Sequence, residues 1–242
     1  MFFNNESVIT FRCIPELKDK IPEPYPSRHF MPDWYKKLEM FYFEDQKDDN
    51  GNLLRKPTIK RCPPVLDALS VGWIIPLAAD LEFTVRDNGT GVSWLCGGDE
   101  GMAPEFICQN HQLGQTKGHP HHPKVPLKFI NHWQIETKPG WSCLFTPPLN
   151  RVENNIELIS GIVDTDKYCE YVNFPGHLLV DDGYFRMDQG YPLMQVIPFK
   201  RGFKKEAKIE AMSDKDLKKL EDTRGTRNKH PSLYRDHRWE KK

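Results

Sequence analysis

The chain has 242 residues, a formal net charge of zero, 38% hydrophobic and 12% aromatic residues, and 20 prolines. This length allows one large domain or two small ones, and it is sufficient to bury a core without disulfide cross-links. The proline content argues against a helical bundle, because proline breaks helices, and favours many short strands joined by proline-rich loops.

The charge is unevenly distributed along the chain. Residues 200–242 carry 15 Lys/Arg against 8 Asp/Glu, whereas the remaining 199 residues carry 19 against 26. An acidic body with a basic tail predicts an arm that lies on an acidic partner or on the body itself. The alternative is a tail that is simply solvated.

The cysteines and the N-terminus predict the compartment. No C-x-x-C pair occurs among the six cysteines, which are Cys13, Cys62, Cys96, Cys108, Cys143 and Cys169. Residues 1–6 lack the basic and long apolar regions of a signal peptide. No run approaches the roughly 20 apolar residues that cross a bilayer. We therefore expect a reduced, cytoplasmic chain with no membrane association, and zinc held by cysteine is disfavoured.

Short elements are predicted in the first half of the chain. A strand is expected over 7–12, a short helix over 32–38 and one or two helical turns over 65–69. Leu81, Phe83 and Val85 alternate with polar residues, which is typical of a half-buried strand. Asp87-Asn88-Gly89 then predicts a hairpin turn into a second strand.

A second hairpin is predicted further along the chain. Residues 132–137 and 141–145 flank Pro139-Gly140, which suits a type II turn. Short strands are expected over 155–163, 170–174, 177–180, 184–187 and 193–199. Strands at this regular spacing predict an all-β domain over 1–201, either a sandwich or jelly roll or a double-stranded β-helix, with short N-terminal helices.

The C-terminal extension, residues 202–242, is predicted to be basic and partly helical. Ser213 and Asp216 have the spacing of a capping arrangement at the start of a helix. Gly225 is expected to end that helix, and the last 17 residues are expected to be extended.

Several phrases of the sequence resemble one family. They are IPEP at 21–24, PDWYK at 32–36, IKRCPP at 59–64, GWIIPL at 72–77, FTPPLNR at 145–151, GIVDTD at 161–166 and PLMQVIPFKR at 192–201. Together they resemble a family of β-rich proteins of uncharacterised function, encoded by tailed bacteriophages, including cyanophages, and by some bacteria. The resemblance spans residues 8–201 and implies a phage origin, placing the protein in the host cytoplasm or the virion. It implies no activity and transfers no catalytic residue.

The segment from Asn110 to His122 holds four of the nine histidines, and its glycines and prolines exclude regular helix. Histidine is the commonest metal ligand among side chains. Within the segment, His119 and His121 form an H-x-H pair, and His111 lies eight residues earlier. His132 and Glu136 on the next predicted strand complete a candidate ligand set.

This set of His111, His119, His121, His132 and Glu136 predicts a zinc or iron site in a cupin-like barrel. The facial triad of iron oxygenases is not present as written, because residue 121 is histidine where a carboxylate is needed. The alternative is a surface loop whose histidines are solvated or hydrogen-bonded to the main chain.

Two further sets of polar side chains are candidate binding groups. Asp164 and Asp166 have the D-x-D spacing of a magnesium or calcium site, but such a triplet is more often a hydrogen-bonded turn. Arg151 is a candidate clamp for a carboxylate or phosphate. The more favoured interpretation of Arg151 is an internal ion pair with Asp164, Asp166 or Glu153.

The sequence supports three functional hypotheses. The first is a non-catalytic phage protein that binds a protein partner or self-associates through the C-terminal extension. The second is a metal-dependent, cupin-like enzyme built on the histidines of 111–136. The third is nucleic-acid binding by the basic tail, whose Tyr234 and Trp239 are interleaved with Lys and Arg.

Overall fold

The structure is a computed structural model that describes residues 7–47, 50–97, 103–152, 155–202, 207–230 and 233–240. The first six residues, on which the expected absence of a signal peptide rests, lie outside these ranges, and so does Glu153, one candidate partner of Arg151.

The described residues form sixteen strands. They are β1 Ile9–Arg12, β2 Tyr25–Pro26, β3 Phe41–Lys47, β4 Leu53–Pro57, β5 Trp73–Pro76, β6 Asp80–Arg86, β7 Gly91–Gly97, β8 Cys108–Asn110, β9 Pro126–Phe129, β10 Gln134–Thr137, β11 Trp141–Thr146, β12 Ile156–Leu158, β13 Gly161–Val163, β14 Phe174–Leu178, β15 Gly183–Met187 and β16 Pro192–Lys200. Every pairing between these strands is antiparallel. The predicted all-β class is therefore confirmed.

The helices of the described residues are few and mostly short. The α-helices are α1 Asp33–Lys37, α2 Pro63–Ser70, α3 Asp214–Lys229 and α4 Leu233–His237. Single 3-10 turns occur at Pro15–Leu17, Ser27–His29, Ile59–Arg61, Pro104–Phe106 and Leu113–Thr116. None of these helices is long and apolar enough to cross a membrane.

The chain divides into two compact units. Unit 1 comprises Met1–Pro32 and Leu69–Arg201, and unit 2 comprises Asp33–Ala68 and Gly202–Lys242. Residues 33–68 thus group with the C-terminal extension. The division into a domain over 1–201 and an extension over 202–242 stays a prediction.

Unit 1 holds four sheets around one hydrophobic core. Their strand orders are β1-β10, β13-β11-β16-β5-β2, β12-β14-β9-β8 and β15-β6-β7. The core takes buried side chains from all four sheets, including Ile135, Val196, Phe129 and Phe83. The four-stranded sheet is the one that positions the candidate site.

The first predicted hairpin is present with the expected turn. Strands β6 and β7 pair from Asp80↔Gly97 to Arg86↔Gly91. Asp87 and Asn88 both have positive φ, 56° and 55°, as a turn that follows strand twist requires. The alternating residues Leu81, Phe83 and Val85 are all buried, as predicted.

The second predicted hairpin is wrong in its pairing. The turn forms, because Trp141 N–H donates to Lys138 O and Gly140 has a φ of 84°. However, β10 pairs with β1, and β11 pairs with β16 and β13. A type II turn splays the strands that flank it, and each strand therefore finds partners far away in sequence.

The predicted end of the C-terminal helix is also wrong. Ser213 and Asp216 form the expected capping box, but α3 continues through Gly225 to Lys229, and α4 follows where extended chain was expected. A glycine inside a helix costs only about 1 kcal/mol relative to alanine, and the helix can continue through it.

Candidate functional site

The segment 111–125 crosses one face of the four-stranded sheet. It connects β8 to β9, and main-chain hydrogen bonds hold both of its ends, from His111 N–H to Pro126 O and from Val125 N–H to Gly89 O. Between them the chain makes a 3-10 turn and a series of tight turns, including His119 N–H to Thr116 O and His122 N–H to His119 O. As predicted, this segment contains no α-helix.

The sheet beneath this segment contributes two side chains that the sequence did not single out. Glu157 on β12 and His177 on β14 are directly paired in the ladder, and His177 is paired in turn with Pro126 on β9. Paired residues of antiparallel strands point to the same face. Glu157 and His177 therefore face the segment that carries His119 and His121.

The result is a cluster of three imidazoles and one carboxylate, here named the histidine cluster: His119, His121, His177 and Glu157. The ring centres are 4.6 Å apart for His119 and His177, 5.4 Å for His119 and His121, and 5.7 Å for His121 and His177. The rings of His119 and His177 are stacked, with an interplanar angle of 14°.

Two hydrogen bonds orient this cluster. His121 Nε2 lies 2.5 Å from Glu157 Oε2, and the imidazole is the donor because an ionised carboxylate only accepts. The main-chain N–H of His121 donates to His119 Nδ1 at 3.3 Å. The H-x-H pair predicted from the sequence is thus held within a series of tight turns.

His177 differs from its neighbours in its environment. Its side chain is 1% exposed, and neither ring nitrogen has a hydrogen-bond partner. Burial, with smaller contributions from the nearby His119 and His121, lowers the pKa of His177 to about 4. The ring is therefore neutral at physiological pH.

The other three predicted ligands lie elsewhere. Glu136 on β10 forms an ion pair with Arg12 on β1, and both side chains are about half exposed. His132 is hydrogen-bonded to the main chain of Phe106, and burial lowers its pKa. His111 begins the segment, with its main chain bound to Pro126.

The predicted five-residue ligand set is therefore not assembled. Among the described residues, no group of three or more His, Cys, Asp or Glu side chains is arranged to hold a metal ion in this conformation. The reason is topological, because β10 joins β1 in a different sheet from β14. Of the five, the structure brings only His119 and His121 together.

The sequence contains one signal that could have identified His177 as a site residue, namely a histidine within an otherwise apolar strand. The stretch Phe174-Pro175-Gly176-His177-Leu178 places an imidazole at an alternate position of a strand otherwise made of apolar residues and glycine. Glu157 gave no comparable signal, because a glutamate on a short strand is common at an exposed position.

Asp164 and Asp166 form a structural network rather than a cation site. Arg201 Nη1 donates to Asp166 Oδ1 at 2.6 Å, and its second nitrogen pairs with the other carboxylate oxygen. Gly140 N–H donates to Asp166 at 2.8 Å, and Ser142 donates to Asp164 at 2.6 Å. The triplet lies in a turn, since Lys167 N–H and Tyr168 N–H donate to Asp164 O, but its carboxylates accept from residues distant in sequence and not from the turn itself.

The arginine that pairs with these carboxylates is Arg201 and not Arg151. Arg151 donates to Pro192 O at 3.0 Å, and its guanidinium lies 4.1 Å from the ring centre of Tyr191. It borders an apolar pocket lined by Pro147, Pro148, Ile156, Leu158, Tyr191, Pro192 and Leu193. The predicted ion pairs of Arg151 with Asp164 and Asp166 are therefore wrong.

The Asp166–Arg201 pair leads to a testable prediction about stability at acid pH. The hydrogen bonds from Arg201 lower the pKa of Asp166 to about 2, from an ordinary value of 3.8. A carboxyl group with a lowered folded-state pKa stabilises the fold above the unfolded pKa, and this contribution is lost as pH falls toward the folded value. Asp166→Asn should therefore be less stable than the native chain at pH 6, and the difference should shrink between pH 4 and pH 2.

Urea unfolding at each pH measures this difference. Asp182→Asn, at an exposed turn, is the matched control and should follow the native chain throughout. A difference for Asp166→Asn that stays constant from pH 6 to pH 2 would contradict the assignment.

The comparisons with known proteins identify no family. No family model matches the chain, and no curated protein matches it. Among solved structures, the chain is similar to a point mutant of the dUTPase from phage phi11 of S. aureus. The two share 8% identity and a TM-score of 0.39, over 85% of this chain and 99% of that one. A likeness of this size carries no argument about activity.

Proposed function

We propose that this chain is a non-catalytic, phage-type protein that acts by assembly, and that it self-associates through the β3–β4 hairpin of unit 2. The observation that supports the proposal is the exposure of large apolar side chains on and beside this hairpin. Met40, Tyr42, Phe43, Leu53 and Ile59 are each between 48% and 63% exposed. Large exposed apolar side chains concentrated on one element are typical of an interaction site.

The hairpin presents this surface on both faces. Tyr42 and Phe43 are consecutive on β3 and therefore point to opposite sides. Within the described ranges the sheet has only these two strands. A two-stranded ribbon is marginally stable alone in water, so that cover from another chain would stabilise it.

The charges of the hairpin favour a protein partner over a polyanion. Glu44 and Asp45 stand on β3 with Lys47, and β4 carries Arg55 and Lys56. Such a mixture is self-complementary, because a two-fold contact can place the acidic side chains of one copy against the basic ones of the other. Arg55 also lies with its guanidinium 3.6 Å from the ring centre of Phe41, and arginine and aromatic residues are both enriched in interfaces.

Self-association is tested with the exposed aromatic pair. The double variant Tyr42→Ser/Phe43→Ser should raise the dissociation constant of the assembly at least tenfold, because interface aromatics commonly contribute 2 kcal/mol or more, roughly thirtyfold in affinity. Light scattering and sedimentation velocity across a concentration series measure it. Circular dichroism checks that the variant is folded.

The matched control is Tyr184→Ser, at a tyrosine of unit 1 that is 62% exposed on β15. This variant should associate like the native chain. A native chain that remains monomeric at high concentration would overturn the proposal, and so would equal effects of the two replacements.

The other two hypotheses have less support. For nucleic-acid binding, Trp239 was expected to stack on bases, but its indole N–H donates to the Asp67 carboxylate at 3.0 and 3.2 Å. For the cupin-like enzyme, the expected ligand set is dispersed. Both stay predictions, as do the resemblance to a phage family and the location in the host cytoplasm or virion.

A further inference from the structure

The spacing of the three imidazoles matches that of ligands around one ion. A zinc ion lies about 2 Å from each ligating nitrogen, which places the centres of neighbouring imidazoles roughly 5 Å apart in tetrahedral geometry. The three ring-centre distances of 4.6, 5.4 and 5.7 Å bracket this value. The rings are therefore at ligand distance, although their planes are not yet in ligand orientation.

The unpartnered nitrogens of His177 point independently to a ligand. A buried polar group without a hydrogen bond destabilises the fold, and such groups are rare in folded proteins. His177 has two such atoms in a side chain that is 1% exposed. An ion bound to one nitrogen would satisfy that atom.

The bond between His121 and Glu157 is the arrangement that orients a metal-bound histidine. Histidine ligands commonly donate their second ring N–H to a carboxylate, which fixes the tautomer and raises the basicity of the ligating nitrogen. Here Nε2 of His121 faces Glu157 at 2.5 Å, which leaves Nδ1 as the ligating atom.

We propose that His119, His121 and His177 bind one divalent transition-metal ion, zinc by preference, with Glu157 positioning His121. Binding requires the stacked rings of His119 and His177 to turn while their centres stay in place. His119 binds through Nε2, and its Nδ1 gives up the 3.3 Å bond from His121 N–H. The site is independent of the proposed self-association, because it uses no residue of the hairpin.

Zinc binding to the untagged full-length chain tests the proposal. Titration against a chromophoric chelator should give one ion per chain, and added zinc should raise the melting temperature. His119→Ala and His177→Gln should each weaken binding at least tenfold, and Glu157→Gln by 10–100-fold. Cobalt in place of zinc should give the visible absorption of a site with nitrogen ligands.

His111→Ala is the matched control, because His111 belongs to the same segment but not to the cluster. It should bind zinc like the native chain. His119 is only half-buried, so its variant should fold even where His177→Gln does not. A folded native chain with neither zinc binding nor a thermal shift overturns the proposal, as does unchanged affinity in His119→Ala.

Discussion

Replacing Phe83 by alanine is expected to lower the free energy of unfolding by about 3–5 kcal/mol, the usual cost of removing a buried phenylalanine. Phe83 is 0% exposed at the centre of β6. Its ring stacks on Phe185 at 5.0 Å and lies 6.3 Å from both Phe129 and Trp94. These partners come from three other strands in two sheets, so the cavity cannot collapse by a shift of one element.

Chemical denaturation followed by circular dichroism measures this loss. Leu95→Ala is the control, because Leu95 is 68% exposed on the adjacent strand β7. Its stability should change by no more than about 0.5 kcal/mol. A loss below 1 kcal/mol for Phe83→Ala would contradict the central position of this ring in the core.

The region around Phe83 is also where the sequence was most informative. The alternation of Leu81, Phe83 and Val85 and the turn at Asp87-Asn88-Gly89 are local signals, and they specify two strands that are neighbours in the chain. Their register follows from the short loop itself, because only Asp87 to Thr90 join the paired residues Arg86 and Gly91, and the positive φ of Asp87 and Asn88 leaves little freedom to slip.

No local pattern in the sequence predicts which distant strands pair with each other. Strand β10 was assigned to β11 because the turn at Pro139-Gly140 lies between them. Its actual partner, β1, lies more than 120 residues earlier, with Thr10 opposite Glu136. Hydrophobic alternation predicts that a strand has a buried face, but not which other strand completes its ladder.

Prediction of the candidate site from the sequence is limited in the same way. His119 and His121 are two residues apart, and their spacing was sufficient to predict that they act together. His177 and Glu157 join them only because β12, β14 and β9 are neighbours in one sheet. The sequence instead assigned His132 and Glu136, which are closer along the chain, but Glu136 belongs to the β1–β10 ladder and His132 lies just before it.

The close approach of β12 to β14 should make Gly176 irreplaceable at this site. A Cβ at position 176 would point to the core face, opposite His177, and would lie 2.8 Å from Leu158 Cδ2 and 3.0 Å from Leu158 Cα. It would also overlap the main-chain oxygen of Glu157. Because two of these three contacts are with main-chain atoms, a side-chain rotation cannot relieve them.

Gly176→Ala is therefore expected to lower the free energy of unfolding by about 2–3 kcal/mol, at the upper end for overpacking. Gly161→Ala on β13 is the control, since a Cβ there meets nothing within 4 Å, and it should change stability by no more than about 0.5 kcal/mol.

Pushing β12 away from β14 also separates the strand that carries Glu157 from the strand that carries His177. Zinc affinity should then fall in Gly176→Ala and stay unchanged in Gly161→Ala. Full stability of Gly176→Ala would contradict the close approach of β12 to β14. It would also contradict the pairing of Glu157 with His177, on which the histidine cluster depends.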